Sequence, residues 1–104
     1  MEKLVRDRLV AVIYSPGFGA GWSTWDYGNY GAELVFDPVL AAYVDEGKMD
    51  EAGTYIAMRF PGVYTGGVED LAVVWLPVGT AFRIHEYDGS ESIEVREELN
   101  WIIA

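Results

Sequence analysis

The sequence predicts an α+β fold, and three observations predict it: a hairpin dipeptide between alternating strands, two apolar β-branched runs, and two punctuated helical stretches. The dipeptide is Asp88-Gly89. A type I′ turn needs positive φ at both central residues, and Asp-Gly supplies it at little cost. With the turn there, Tyr87 faces Ser90, Glu86 faces Glu91, His85 faces Ser92, Ile84 faces Ile93, Arg83 faces Glu94 and Phe82 faces Val95. The apolar pairs then share one face and Arg83–Glu94 lies on the other. A slip of one residue would destroy both matches, so the register is well specified. A loop at Pro77–Thr80 extends the scheme to a three-stranded antiparallel β-meander over Leu71–Arg96, with Trp75 opposite Phe82 and Val73 opposite Ile84. Ser90–Arg96, charged on its outer side, is expected at an edge.

Two apolar runs supply the central strands. Leu71–Leu76 is apolar on both faces, and Leu9–Tyr14 is an uninterrupted run rich in β-branched residues, expected beside it. The preceding Lys3-Leu4-Val5-Arg6-Asp7-Arg8 resembles the opening of MazG-like nucleotide pyrophosphohydrolases. Those enzymes continue with helices carrying carboxylates at helical spacing, whereas here a strand and a glycine loop follow.

The helical stretches lie between the two runs. Asp37 is a helix N-cap with Pro38 at the first helical position, and Val39, Leu40, Tyr43 and Val44 form one apolar stripe ending at Gly47. A second helix runs from Met49 or Asp50 to Phe60, burying Met49, Ala52, Ile56 and Phe60, and Pro61-Gly62 stops it. Gly53 weakens it slightly. Ala32–Phe36 reads as a short strand or an approach to the first helix. Both helices are expected on the Trp75–Phe82–Ile84 face, which leaves Ala72, Val74 and Leu76 in need of cover by the glycine loop, the C-terminal segment or a second subunit. All 104 residues form a single globular domain, and a homodimer is expected.

The unusual segment is Ser15–Gly31, which carries glycines at 17, 19, 21, 28 and 31 among Phe18, Trp22, Trp25, Tyr27 and Tyr30. A dinucleotide fingerprint would need G-x-G-x-x-G opening a helix, and neither the spacing nor the following WSTWDYGN fits. The plain reading is that the glycines turn the chain while the rings fold over the core. The functional reading is a binding surface of Phe18, Trp22, Trp25, Tyr27 and Tyr30, since tyrosine and tryptophan dominate interaction hot spots. Trp22, which follows the flexible Gly19-Ala20-Gly21, is expected to be more exposed than Trp25.

Charge narrows the function. The formal net charge is −10, from 17 acids against 7 bases, which opposes direct binding to nucleic acid or to an anionic membrane and permits a basic protein surface. There is no apolar run of transmembrane length. The N-terminal stretch lacks the small-residue cleavage site of a signal peptide. Cysteine is absent, which is compatible with a reducing, cytoplasmic location. The single histidine, His85, cannot build a common zinc site and has Ser92 and Ala72 as expected neighbours, so a structural role is expected. Glu86, Asp88 and Glu91 cluster at the hairpin tip. They could take a hard cation or serve as a carboxylate pair, but a hairpin tip is ordinarily just solvated. No catalytic residue, metal or cofactor is assigned.

The segments YSPGFGAGWSTW, FPGVYTGG and DLAVVWLPVGTAFRIHEYDGSES together resemble a group of small uncharacterised proteins of bacteriophages, prophages and bacteria. The resemblance runs from Val12 to about Val95. It implies a setting, a phage or prophage accessory protein in the cytoplasm, rather than a reaction. Three functions are consistent with these readings. The first is a non-enzymatic protein-interaction module that modulates a host protein. The second is an acidic nucleic-acid mimic that inhibits a DNA- or RNA-binding defence protein. The third is a nucleotide- or sugar-binding protein or small enzyme using the Gly17–Trp25 loop.

Overall fold

The computed structural model describes residues 1–26 and 30–96. Five strands and three helices follow one another as β1 (Val5–Arg6), β2 (Leu9–Tyr14), α1 (Glu33–Phe36), α2 (Pro38–Asp45), α3 (Met49–Arg59), β3 (Ala72–Pro77), β4 (Phe82–Tyr87) and β5 (Ser90–Val95). The α+β class is the one the sequence predicts.

The sheet is antiparallel in the order β1-β2-β3, and β2 pairs with β3 from Leu9 opposite Pro77 to Tyr14 opposite Ala72. This is the neighbour relation expected of the two apolar runs. Alternation along these strands explains why the runs are uninterrupted. Ala11 and Ile13 pack with Leu71, Val73 and Trp75 against the helices, in a core completed by Leu40, Ala41 and Val44 of α2, Ala52 and Ile56 of α3, and Phe60. Val12, Val74 and Leu76 point to the opposite face. A strand covered on both sides needs apolar side chains at every position.

The expected three-stranded meander is corrected by the pairing. β4 and β5 form a separate two-stranded ladder, so Trp75 does not pair with Phe82, nor Val73 with Ile84. Within the ladder every expected pair is present, from Phe82 opposite Val95 to Tyr87 opposite Ser90. Both residues of the Asp88-Gly89 turn have positive φ, 50° and 83°. The chain leaves β3 through the Pro77–Thr80 loop, where Gly79 has φ +86° and Val78 N–H donates to the Arg8 carbonyl. It then crosses to the far face of the sheet. There Phe82, Ile84, Ile93 and Val95 pack over Val12, Val35, Val74 and Leu76. The hairpin is thus the cover that the far face requires, and the need for a second subunit to provide it falls away. α2 and α3 pack on the Val73 and Trp75 side and not on Phe82 or Ile84 as expected, while α1 reaches the hairpin through Val35 and through Phe36, whose ring lies edge-on to Phe82 at 6.0 Å.

The helices begin and end where expected. Asp37 Oδ1 accepts from Leu40 N–H at 2.9 Å with Pro38 in the first turn, and Gly47 has φ +73° after α2. Val39 differs, being 44 % exposed although it shares the predicted stripe. Ala32–Phe36 resolves as a single helical turn that places Leu34 in the helix-side core and Val35 in the hairpin-side one. The β1–β2 turn was not foreseen: Asp7 and Arg8 both have positive φ. Residues 97–104 lie outside the described residues, and with them the C-terminal segment named as one possible cover of the sheet. Among the described residues no helix is long and apolar enough to cross a membrane.

Candidate functional site

Period two decides where the hairpin tip points its acids. Glu91 follows Ile93 and Val95 on one side of β5, and Glu86 follows Ile84 and Phe82 on the same side of β4. Both glutamates therefore extend the inward face. Glu91, expected as a solvated tip acid, is instead 1 % exposed.

The glycine loop closes around that carboxylate. Ser15 N–H donates to Glu91 Oε1 at 2.9 Å, while Trp22 N–H, Thr24 N–H and the Thr24 hydroxyl donate to Oε2 at 2.9, 3.0 and 2.6 Å. Burying an anion is tolerable only when donors replace its water, and charge-assisted hydrogen bonds are the strong ones. Glu91 N–H returns a bond to the Ser15 carbonyl at 2.7 Å, Gly19 N–H donates to the Asp88 carbonyl, and Ser90 Oγ donates to the Pro16 carbonyl. The Ser15 hydroxyl, next to this network, is buried without a partner among the described residues. A loop whose amides could cradle a ligand phosphate has therefore turned four of them on the protein itself.

Glycine is required where the loop and turn touch. A Cβ at Gly89 would stand 2.8 Å from the backbone of Gly19, at a φ of +83° that side chains avoid. A Cβ at Gly21 would meet the Trp25 ring at 2.3 Å, so the indole lies flat on bare backbone.

The five ring residues predicted for a binding surface divide. Trp22 is 1 % exposed, its indole N–H bonded to the Leu34 carbonyl at 2.7 Å and its ring edge-on to Phe60. This reverses the expected order of exposure, because the Glu91 carboxylate pulls the backbone at 22 and 24 inward and carries the ring with it. Trp25 is half-buried as expected, donates from Nε1 to Glu86 Oε1 at 3.0 Å and lies 5.0 Å from the Tyr64 ring. Tyr30 is half-buried, packing on Phe60 and bonding the Pro61 carbonyl. Tyr27 lies outside the described residues. Among the four that are described Phe18 alone projects, 74 % exposed, and the structure gives it a partner the sequence reading missed: Tyr87, 77 % exposed, edge-to-face at 6.5 Å. Tyr64, 39 % exposed, completes this end by donating its hydroxyl to the Gly19 carbonyl at 2.7 Å. Loop and hairpin are far apart in sequence, and no local signal joins Phe18 to Tyr87.

The three tip carboxylates do not converge. Glu91 is internal, Glu86 holds Trp25, and Asp88 sits in the turn. No group of three His, Cys, Asp or Glu suited to a metal occurs among the described residues. His85 pairs with Ser92 as expected, but its other neighbour is Glu94, 3.4 Å from Nε2, rather than Ala72. Arg83 binds the same carboxylate through two nitrogens, and that bond holds Glu94 below the usual carboxylate range and raises the guanidinium. Ser92, His85 and Glu94 share a face and all three are exposed to water, with Glu94 alone of them lining an open cleft of about 420 Å³ beside Phe82 and Arg83. A small cleft of about 280 Å³ includes Asp37, Tyr55 and Arg59. There the two oxygens of Asp37 accept from Leu40 N–H and the Tyr55 hydroxyl, and Arg59 pairs with Glu33.

Fold and site together define an α+β domain whose glycine loop is fixed by an internal carboxylate and presents an aromatic pair outward. Comparison with family models, with curated proteins and with solved structures gives no match.

Proposed function

We propose that this protein is a non-enzymatic protein-interaction module whose binding face is the Phe18–Tyr87 pair with Tyr64 beside it. The observation that carries the reading is exposure on a fixed frame. Two large rings stand 74 % and 77 % free of cover, while the backbone beneath them is tied by the Glu91, Asp88 and Ser90 bonds. Large aromatic side chains are the usual anchors of interfaces, and a pre-ordered loop lowers the entropic cost of docking. The acidic-mimic alternative needs carboxylates arrayed in the open. Here Glu91 is buried and Glu33, Asp45, Glu46 and Glu94 are ion-paired, while Asp50, Glu69 and Asp70 stay exposed; what favours the aromatic face as the point of contact is the exposure of its rings on a tied loop. The setting carried by the resemblance, a cytoplasmic phage or prophage accessory protein acting on a host protein, belongs to this proposal, and a second copy of the chain is one partner it allows.

The test is the double variant Phe18→Ala/Tyr87→Ala. It should melt within about 2 °C of the wild type, because neither ring is buried. It should also lose the proteins that the wild type captures from a bacterial lysate, read by mass spectrometry. Capture of the same set by the double variant would end the proposal, and a large fall in melting temperature would make the rings structural.

A further inference from the structure

A second feature lies beyond the aromatic pair. An open groove of about 1070 Å³ runs between α3 and the connector that leads into β3. Its floor is Gly53, Ala57 and Val68, Met58 stands over it 79 % exposed, and Asp50, Glu69 and Asp70 edge it. No lysine or arginine lines it.

Two observations say what fits. The first is charge. Four of the seven bases are ion-paired elsewhere on the molecule, Arg6 with Asp45, Lys48 with Glu46, Arg59 with Glu33 and Arg83 with Glu94, and Lys3 lies over the Phe36 ring. Among the described residues the carboxylates of Asp50, Glu69 and Asp70 have no such partner, and all three are exposed. The second is Gly53. It lies inside α3, away from positive φ, and a Cβ built there meets nothing nearer than Val68 Cγ1 at 4.0 Å. Nothing within the fold requires glycine at this position, and a helix is weakened by it. Its physical effect is to leave the floor of the groove without a side chain.

We infer that this groove takes a peptide segment carrying lysine or arginine beside an apolar residue. The apolar residue lies on Gly53, Ala57 and Val68 under the adaptable thioether of Met58, and the cationic groups reach the unpaired carboxylates at the edge. The proposal does not depend on the Phe18–Tyr87 reading.

The experiment uses a fluorescein-labelled peptide of alternating arginine and leucine, and the same peptide with glutamate for arginine. The basic probe should bind and the acidic one should not. Binding should weaken as salt rises, because the contacts are partly exposed ion pairs. The methyl resonances of Met58 and Met49 should shift on titration while that of Met1, outside the groove, stays fixed. Gly53→Leu fills the floor without strain, so it should melt at or above the wild type and weaken the probe about tenfold or more. Glu69→Gln/Asp70→Asn should weaken it similarly and flatten the salt dependence. Unchanged binding by a folded Gly53→Leu protein would overturn the inference. So would an equal loss in Glu2→Gln/Glu46→Gln, which lowers the charge by the same amount elsewhere. Loss of the probe only in Phe18→Ala/Tyr87→Ala would place the peptide on the aromatic pair and overturn it as well.

Discussion

Two regions of this molecule each bury a carboxylate, and they do it in opposite ways. At the start of the helical layer Asp37, 8 % exposed, accepts from Leu40 N–H three residues ahead and from the Tyr55 hydroxyl. At the loop–hairpin junction Glu91, 1 % exposed, accepts from Ser15, Trp22 and Thr24, which lie 67 to 76 residues earlier. Asp37 organises its own helix end. Glu91 organises a loop that has little ordering of its own and holds it against a turn from the other end of the chain. The difference teaches that the same chemistry, an anion among N–H donors, is a local device in one place and the closure of the tertiary fold in the other.

That difference sets the largest expected effect. Glu91→Ala should cost about 3–5 kcal/mol, since it orphans the buried N–H groups of Ser15 and Trp22, each costing about 1–3 kcal/mol before relaxation, and releases the part-buried N–H and hydroxyl of Thr24 to water. Asp37→Ala removes one cap bond and one phenol bond and should cost about 1–2 kcal/mol. Urea melts of the two variants measure this. If Glu91→Ala is no worse than Asp37→Ala, the junction is not held by the carboxylate.

The contrast also explains what could be read in advance. Asp37-Pro38 and Asp88-Gly89 declare themselves because the cap bond to Leu40 and the pairs of the turn lie within a few residues, and the structure has the helix start and the turn at those positions. The neighbour relation of β2 and β3 was legible from two runs that need cover on both faces. The layer of the hairpin was not legible. A β4 strand paired beside β3 and one laid across it bury the same alternating residues, and only the path of the Pro77–Thr80 loop chooses between them. The burial of Glu91 had a signal that went unused, its place in line with Ile93 and Val95. Its donors had none, because loop amides carry no side-chain signature. The pairing of Phe18 with Tyr87 depends on that same closure and was equally hidden.

The two loop tryptophans sharpen the comparison at the next level. Trp22 is drawn into the core by the donors on either side of it, so Trp22→Ala should cost about 3–5 kcal/mol, as for other large buried rings. Trp25 rests on Gly21 with one side toward Tyr64 and bonds only Glu86. Trp25→Ala should cost about 1–2 kcal/mol, in keeping with partial burial and one exposed hydrogen bond. Equal losses in thermal melts would mean that the loop packs as one unit and not as a buried half and a surface half.

The smallest effect belongs to the Asp37 region and appears only in alkali. Tyr55 is raised from 10.0 to about 12, first by burial, then by the hydrogen bond it donates to Asp37 and by the charge of that carboxylate. Burial disfavours the phenolate, and a neighbouring anion disfavours it further. The fold therefore favours the protonated phenol. The stability gained from that preference is complete below pH 10 and is lost as pH rises through about 12, because the unfolded chain releases the proton first. Phenolate absorbance should show one tyrosine titrating near pH 12, and Tyr55→Phe should remove that step alone. The stability gap between wild type and Tyr55→Phe should be constant up to about pH 10 and shrink above it. A step that persists in Tyr55→Phe would assign the late titration to another tyrosine. Asp37 would then be left as a helix cap with no further hold on α3, and the local character of its region would be complete.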